Sequence, residues 1–168
     1  MFGLFKKKDK EAEKPVQKEL SLHAVADGEV VTIDKVNDQV FSQKFMGDGY
    51  AVVPTGTQVT APVSGTILNV FPTKHAVGIK ADNGVEVLLH MGVDTVELKG
   101  EAFEVHVAEG DHVTPDTVVA DVDLEMIKAA GKGTELIVVL TNMDDVENFT
   151  VAEGQNTGKA EIGHVRVK

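Results

Sequence analysis

Six histidines, His23, His75, His90, His106, His112 and His164, are the side chains of this sequence best suited to chemistry at neutral pH, because imidazole exchanges its proton near that range. Two of them are tied together by a turn. The run from His75 to His90 carries Asn83-Gly84 at its middle, the strongest short-range signal for a β-hairpin. A two-residue type I′ loop there places His75 opposite Gly92 and His90 opposite Val77, and the period-two alternation of a strand then turns both imidazoles to one face. Their Cα atoms become diagonal neighbours roughly 7–8 Å apart, a gap that long side chains bridge. A three-residue loop would put the two rings on opposite faces.

Two converging imidazoles admit three readings. A neutral ring nitrogen is a good nucleophile toward a phosphoryl group, since a reference pKa of roughly 6.5 leaves it mostly unprotonated at neutral pH. A second ring can then donate a hydrogen bond to the phosphoryl oxygens and offset their charge. Histidine is also the commonest zinc ligand, although two ligands without a third make a weak site, and a zinc hydrolase would need a placed general base besides. The third reading is a half-exposed, inert pair. Gly92 opposite His75 would clear space for an approaching group. Thr73, two residues before His75, is placed to orient that ring through its hydroxyl.

The elements that must position these residues read as strands. From Leu20 onward, short apolar runs such as GYAVVP and TQVTAPVSGTILNVF alternate with Gly, Asn, Asp and Pro, which predicts an all-β fold, an antiparallel sandwich or distorted barrel with one or two short helices. One helix is marked by Asp123 as N-cap, Glu125 in the first turn, Met126 and Ile127, and Gly131 as the stop. With 168 residues the chain fits one domain, expected over 19–168 behind a basic tail at 1–18. Aromatics make up only 5% of the chain and Trp is absent, so the core must be built from Val, Leu, Ile and Ala.

Charge and composition exclude several functions. The formal charge of −11 argues against nucleic-acid binding, which needs a basic face. Without cysteine there is no disulfide, no thiolate-bound zinc and no thiol catalysis. No run approaches the roughly 18–20 apolar residues that span a bilayer, and Met1-Phe2-Gly3-Leu4-Phe5 before Lys6, Lys7 and Lys8 is the wrong order and too short for a signal peptide, so a cytoplasmic protein is expected. Residues 1–8 suit at most a weak membrane-surface contact, the alternative being a solvated tail.

The stretch FPTKHAVGIKADNGVEVLLHMGVDTVELKGEAF, residues 71–103, resembles the signature of glucose-class enzyme IIA domains of the bacterial phosphoenolpyruvate:sugar phosphotransferase system. Its core, His90-Met91-Gly92-Val93-Asp94-Thr95-Val96, matches the family pattern at each position, His75 falls on the upstream histidine, and the likeness runs from about Leu20 to the C-terminus. Ala102 departs from it where many members have a second glycine. The resemblance implies a phosphocarrier: His90 accepts a phosphoryl group from the histidine-containing phosphocarrier protein and passes it to the enzyme IIB of a glucose-type IIB/IIC transporter, His75 supports the transfer and Thr73 orients His75. It also implies regulatory targets that sense the phosphorylation state, and a zinc ion held by His75 and His90 only with a ligand from a partner; transfer itself needs no cofactor. Val40, Phe41, Phe45, Met46, Phe71, Gly92, Asp94 and Val96 are the candidate docking residues. A carrier that passes between partners through one face is expected to be a monomer. The rival reading is a biotinyl or lipoyl carrier, whose target would be Lys128 in LEMIKAA, but that lysine falls in the segment expected to be helical rather than in a tight hairpin.

Overall fold

Short runs rich in Val, Ile and Thr, each closed by Gly, Pro, Asn or Asp, form fourteen strands among residues 17–168, the part of the chain that the computed structural model describes. The basic tail expected at 1–18, with its membrane-surface contact, falls outside the described residues apart from its last two positions. The strands are β1 (Glu19–His23), β2 (Gly28–Thr32), β3 (Asp48–Pro54), β4 (Gln58–Thr60), β5 (Gly65–Val70), β6 (Ala76–Ala81), β7 (Glu86–Val93), β8 (Phe103–Val105), β9 (His112–Val113), β10 (Val118–Val122), β11 (Gly133–Leu140), β12 (Val146–Val151), β13 (Gly154–Asn156) and β14 (Glu161–Val167). One sheet runs β13-β2-β3-β11-β7-β6-β5-β9, and two three-stranded sheets run β1-β14-β12 and β4-β10-β8. All their pairings are antiparallel, as the all-β expectation requires.

Two short helices interrupt the strands, α1 (Gln39–Ser42) and α2 (Leu124–Ala129). Asp123 caps α2 by accepting from the Met126 amide at 3.0 Å. Gly131, at φ +76°, closes it: the Lys132 amide donates back to Ile127 O and the Gly131 amide to Lys128 O, the bonds of a Schellman stop. The sequence did not single out α1. Its cap is Asp38, whose carboxylate accepts from the amides of Val40 and Phe41.

Strand β7 lies at the middle of the large sheet and works on two cores. Val87, Leu89 and Met91 enter the main core with Leu22, Tyr50, Ile79, Leu136 and their neighbours. On the other face Leu88 packs with a smaller cluster of Ile33, Val36, Phe41, Ala51, Val93, Ile137 and Val139. Strict alternation would have sent Val93 to the main core as well. It turns to the smaller cluster because Gly92 takes φ +86°, which breaks the pleat.

The hairpin between β6 and β7 differs from the expected one. Lys80 pairs with Glu86 and Ala76 with His90, so the loop is the three-residue Asp82-Asn83-Gly84 and not a two-residue type I′ turn. The Gly84 amide donates to Ala81 O at 2.9 Å and Gly84 alone in the loop takes a left-handed φ, +95°: a type I turn followed by a one-residue bulge. Tertiary anchoring decides this. The buried Asn83 side chain donates to Lys18 O at 2.9 Å and to Val165 O at 3.3 Å, which ties the turn to the residue before the first strand and to the last strand.

His75 therefore lies opposite Met91, whose amide donates to His75 O at 2.7 Å, and not opposite Gly92. A regular strand with this register would separate the two histidine rings. His75, however, precedes β6 and follows Lys74, whose φ of +61° ends the pleat, so the ring swings round to the His90 side. Convergence holds, for a different reason from the one the turn suggested.

Asn83→Gly separates the two loops. In a type I′ turn, glycine at that position is neutral or favourable, whereas here it removes the buried Asn83 side chain and its bonds to Lys18 O and to Val165 O, so the unfolding free energy is expected to fall by about 1–3 kcal/mol. An unchanged urea midpoint would sink the three-residue assignment.

Candidate functional site

The site is assembled where β7 passes between β11 and the start of β6, with His90 paired to Ile137 on one side and Ala76 on the other. Beneath the imidazole lies the smaller apolar cluster. Phe41, delivered by α1, sets its ring 4.9 Å from that of His90, and Phe71 meets His75 edge-on at 5.5 Å. The two imidazoles are 4.9 Å apart between centroids and inclined at 77°. His75 is buried and His90 half-buried.

Each ring is held through Nδ1. His90 Nδ1 donates to Gly92 O at 2.7 Å; a carbonyl can only accept, so the ring proton sits on Nδ1 and Nε2 keeps its lone pair. His75 Nδ1 and Thr73 Oγ1 are 2.6 Å apart, the orienting contact expected of Thr73. When the hydroxyl donates, His75 carries its proton on Nε2.

Gly92 serves this arrangement differently from what the sequence suggested. It does not face His75. Its left-handed φ turns the carbonyl back to His90, and a Cβ there would collide with the Thr95 side chain and the Gly133 carbonyl. Thr95, fully buried, donates its hydroxyl to Met91 O at 2.6 Å and fixes the following turn. Lys74, Asp94 and Lys99 take left-handed φ in the two loops that flank the rings, a cluster of strained non-glycine residues of the kind found at functional sites.

Burial dominates the electrostatics. Desolvation holds both imidazoles below the ordinary histidine range. For His90 the neighbouring His75 pushes the same way, while the bond to Gly92 and the carboxylates of Asp38 and Asp94 oppose it. Asp38 was missed by sequence reasoning. Its signal was available as an acidic residue directly before Gln39-Val40-Phe41, an N-cap followed by apolar residues.

The docking candidates divide. Phe41 and Phe71 touch the histidines, and Phe41 is buried in the smaller core rather than offered to a partner. Val40 and Val96 are 46% and 48% exposed on the elements beside the rings, α1 and the 3-10 turn Thr95–Leu98. Asp94 stands exposed at the start of that turn. Phe45, 72% exposed, and Met46 line a separate shallow groove with Lys44, Asp48 and Met143. Lys128, the rival carrier lysine, sits on α2 with Glu125 at 3.8 Å and not at a hairpin tip.

Comparison with known proteins identifies the family and the fold. The model of the family described as phosphoenolpyruvate-dependent sugar phosphotransferase system, EIIA 1, matches residues 20–146. The PTS system glucose-specific EIIA component of Halalkalibacterium halodurans is 45% identical over 168 residues, covering 100% of this chain and 96% of that protein. The PTS system glucose-specific EIICBA component of Streptococcus pneumoniae is 45% identical over 147 residues, 87% of this chain but 20% of that longer protein. Among solved structures, glucose permease IIA from Mycoplasma capricolum superposes with a TM-score of 0.80 at 35% identity, covering 88% of this chain and 96% of that one.

Because the fold favours the neutral rings, its contribution to stability is fully present above about pH 6.5 and is lost as pH falls through the lowered folded-state values. Ring NMR is expected to place both midpoints below about 6.5, and His90→Gln to lose less stability than the parent between about pH 7 and pH 5. A His90 midpoint at or above about 6.5 contradicts the desolvated site.

Proposed function

Since the chain belongs to the EIIA 1 family of the phosphoenolpyruvate-dependent sugar phosphotransferase system, and within it to the glucose class, we propose that it carries a phosphoryl group on His90 Nε2 between the histidine-containing phosphocarrier protein and the enzyme IIB of a glucose-type IIB/IIC transporter. The observation that carries the reading is the His90 Nδ1 bond to Gly92 O, which leaves the opposite nitrogen as a nucleophile beside a second imidazole.

The chemistry follows from the two Nε2 atoms. The lone pair of His90 Nε2 attacks the phosphorus of the donor's phosphohistidine as the donor N–P bond breaks, its electron pair returning to the donor imidazole. His75, with Thr73 donating to its Nδ1, presents an Nε2–H to the phosphoryl oxygens and is most needed when the group leaves again for the acceptor cysteine of enzyme IIB. Thr73 is a positioning residue. No metal takes part in these steps.

The exposed Val40 and Val96 beside the rings supply the apolar contact that keeps water from the phosphoryl group once a partner covers the face. Phosphorylation adds nearly two negative charges there, so regulatory targets that prefer one state can read the flux of sugar. Zinc fits only as a bridge. The two Nε2 atoms offer two ligands once His75 moves its proton to Nδ1 and donates it to Thr73 Oγ1, and among the described residues no carboxylate or third histidine joins them, so the remaining ligands would have to come from a partner. Among the described residues no helix is long and apolar enough to cross a membrane, and the cytoplasm, where these partners meet, is the proposed location. The carrier acts as a monomer, since a dimer through this face would hide the nucleophile.

The test is phosphorylation from phosphoenolpyruvate with enzyme I and the phosphocarrier protein. An acid-labile, base-stable phosphate is expected on the parent and on His75→Ala and none on His90→Ala, with onward transfer by His75→Ala slowed at least about 10²-fold and that by Thr73→Val less. Uptake of phosphate by His90→Ala would move the nucleophile elsewhere.

A further inference from the structure

A second cluster of ligating side chains lies on β8 and β10, outside the histidine pair. Their register puts Glu104 directly opposite Asp121, and like charges so placed destabilise a sheet unless a cation offsets them. His106, two residues from Glu104 on the same face, brings Nε2 to 2.7 Å from Asp121 Oδ2. One ligand atom from each of the three lies within 4.8 Å of the others, and all three side chains are exposed. Glu104 and Asp121 also line an open cleft of about 840 Å³ together with the acidic Glu101, Asp123 and Glu125. The lysine of that cleft, Lys128, is 3.8 Å from Glu125.

We propose that Glu104, His106 and Asp121 bind a divalent transition-metal ion such as Zn²⁺ or Co²⁺, at a site independent of His75 and His90. One imidazole and two carboxylates make a mixed nitrogen–oxygen set, and the imidazole selects these ions over Mg²⁺ and Ca²⁺, which prefer oxygen alone. Two carboxylate charges balance the ion, and the resulting neutral unit removes the repulsion between Glu104 and Asp121. Binding through His106 Nε2 replaces its hydrogen bond to Asp121, and the ring proton moves to Nδ1, so a neutral imidazole gives up no proton to solvent. The open cleft leaves the remaining coordination positions to water, which fits a weak, exchangeable ion rather than a structural one.

Titration of the full chain with zinc chloride, followed residue by residue by ¹H–¹⁵N NMR, reads this site apart from the histidine pair. Saturable shifts are expected at residues 104–106 and 120–122, at least about 10-fold weaker in midpoint for His106→Gln and for Glu104→Gln. Both substitutions are on exposed side chains, and the spectrum itself reports that the fold is kept. Shifts confined to the surroundings of His75 and His90 overturn the proposal, as does a response at 104–106 that either variant leaves unchanged. An equal response to magnesium chloride overturns it too, because it would mean attraction by acidic charge without the imidazole.

Discussion

The hydrogen bond from His90 Nδ1 to the carbonyl of Gly92 sets the terms for everything around it. It can form only with the proton on Nδ1, and it can reach that carbonyl only if residue 92 adopts a left-handed φ, which glycine does at little cost. The same φ at Gly92 accompanies the loss of the pleat after Met91, the turning of Val93 into the smaller core, and the left-handed Asp94 that opens the next turn. Thr95 completes the device from inside. Its buried hydroxyl takes up Met91 O, and its methyl occupies the space that a side chain on residue 92 would need.

A polarised ring on an apolar bed is a compromise between two electrostatic demands. Desolvation by Phe41 and the cluster below keeps His90 neutral and therefore nucleophilic, but the same burial opposes a charged product. Asp38 and Asp94 pull the other way. Each sits at the head of a short helix or turn rather than within a strand, Asp38 held by the α1 amides it caps and Asp94 by its left-handed backbone. The main core holds β7 rigid from behind, while the tuning groups stand on the parts of the chain with the least regular structure.

The strand pattern and the helix at Leu124–Ala129 were legible in the sequence because each rests on a local rule, alternation or capping; the convergence of His75 and His90 was reached through a turn that the structure does not form. The hairpin loop was not legible. Asn83-Gly84 reads as a type I′ turn when only neighbouring residues are considered, and the structure overrides that preference through Asn83 bonds to Lys18 and Val165, residues remote in sequence. The three-residue loop, in a regular strand, would have parted the histidines. They stay together because Lys74 leaves the strand before His75 is reached, an irregularity that a lysine among Pro72, Thr73 and His75 does not announce. Gly92 was recognised as necessary for the wrong reason, since its role lies in its φ and not in the space opposite.

The two imidazoles differ in exposure in the sense that their proposed roles require. Transfer between proteins brings the acceptor nitrogen to an atom held by another molecule, so the nucleophile must reach the surface, whereas its helper need present only one N–H to the group in transit. Taken as whole residues, His90 is half-buried and His75 buried, the latter held by Thr73 and Phe71. An enclosed pocket would exclude water better but would also exclude the partner. Exposed, apolar Val40 and Val96 beside the rings fit the proposed role, in which the dry environment forms when the complex does. On the proposed function the site is half of an active centre, and its missing wall is the surface of whichever protein gives or takes the phosphoryl group.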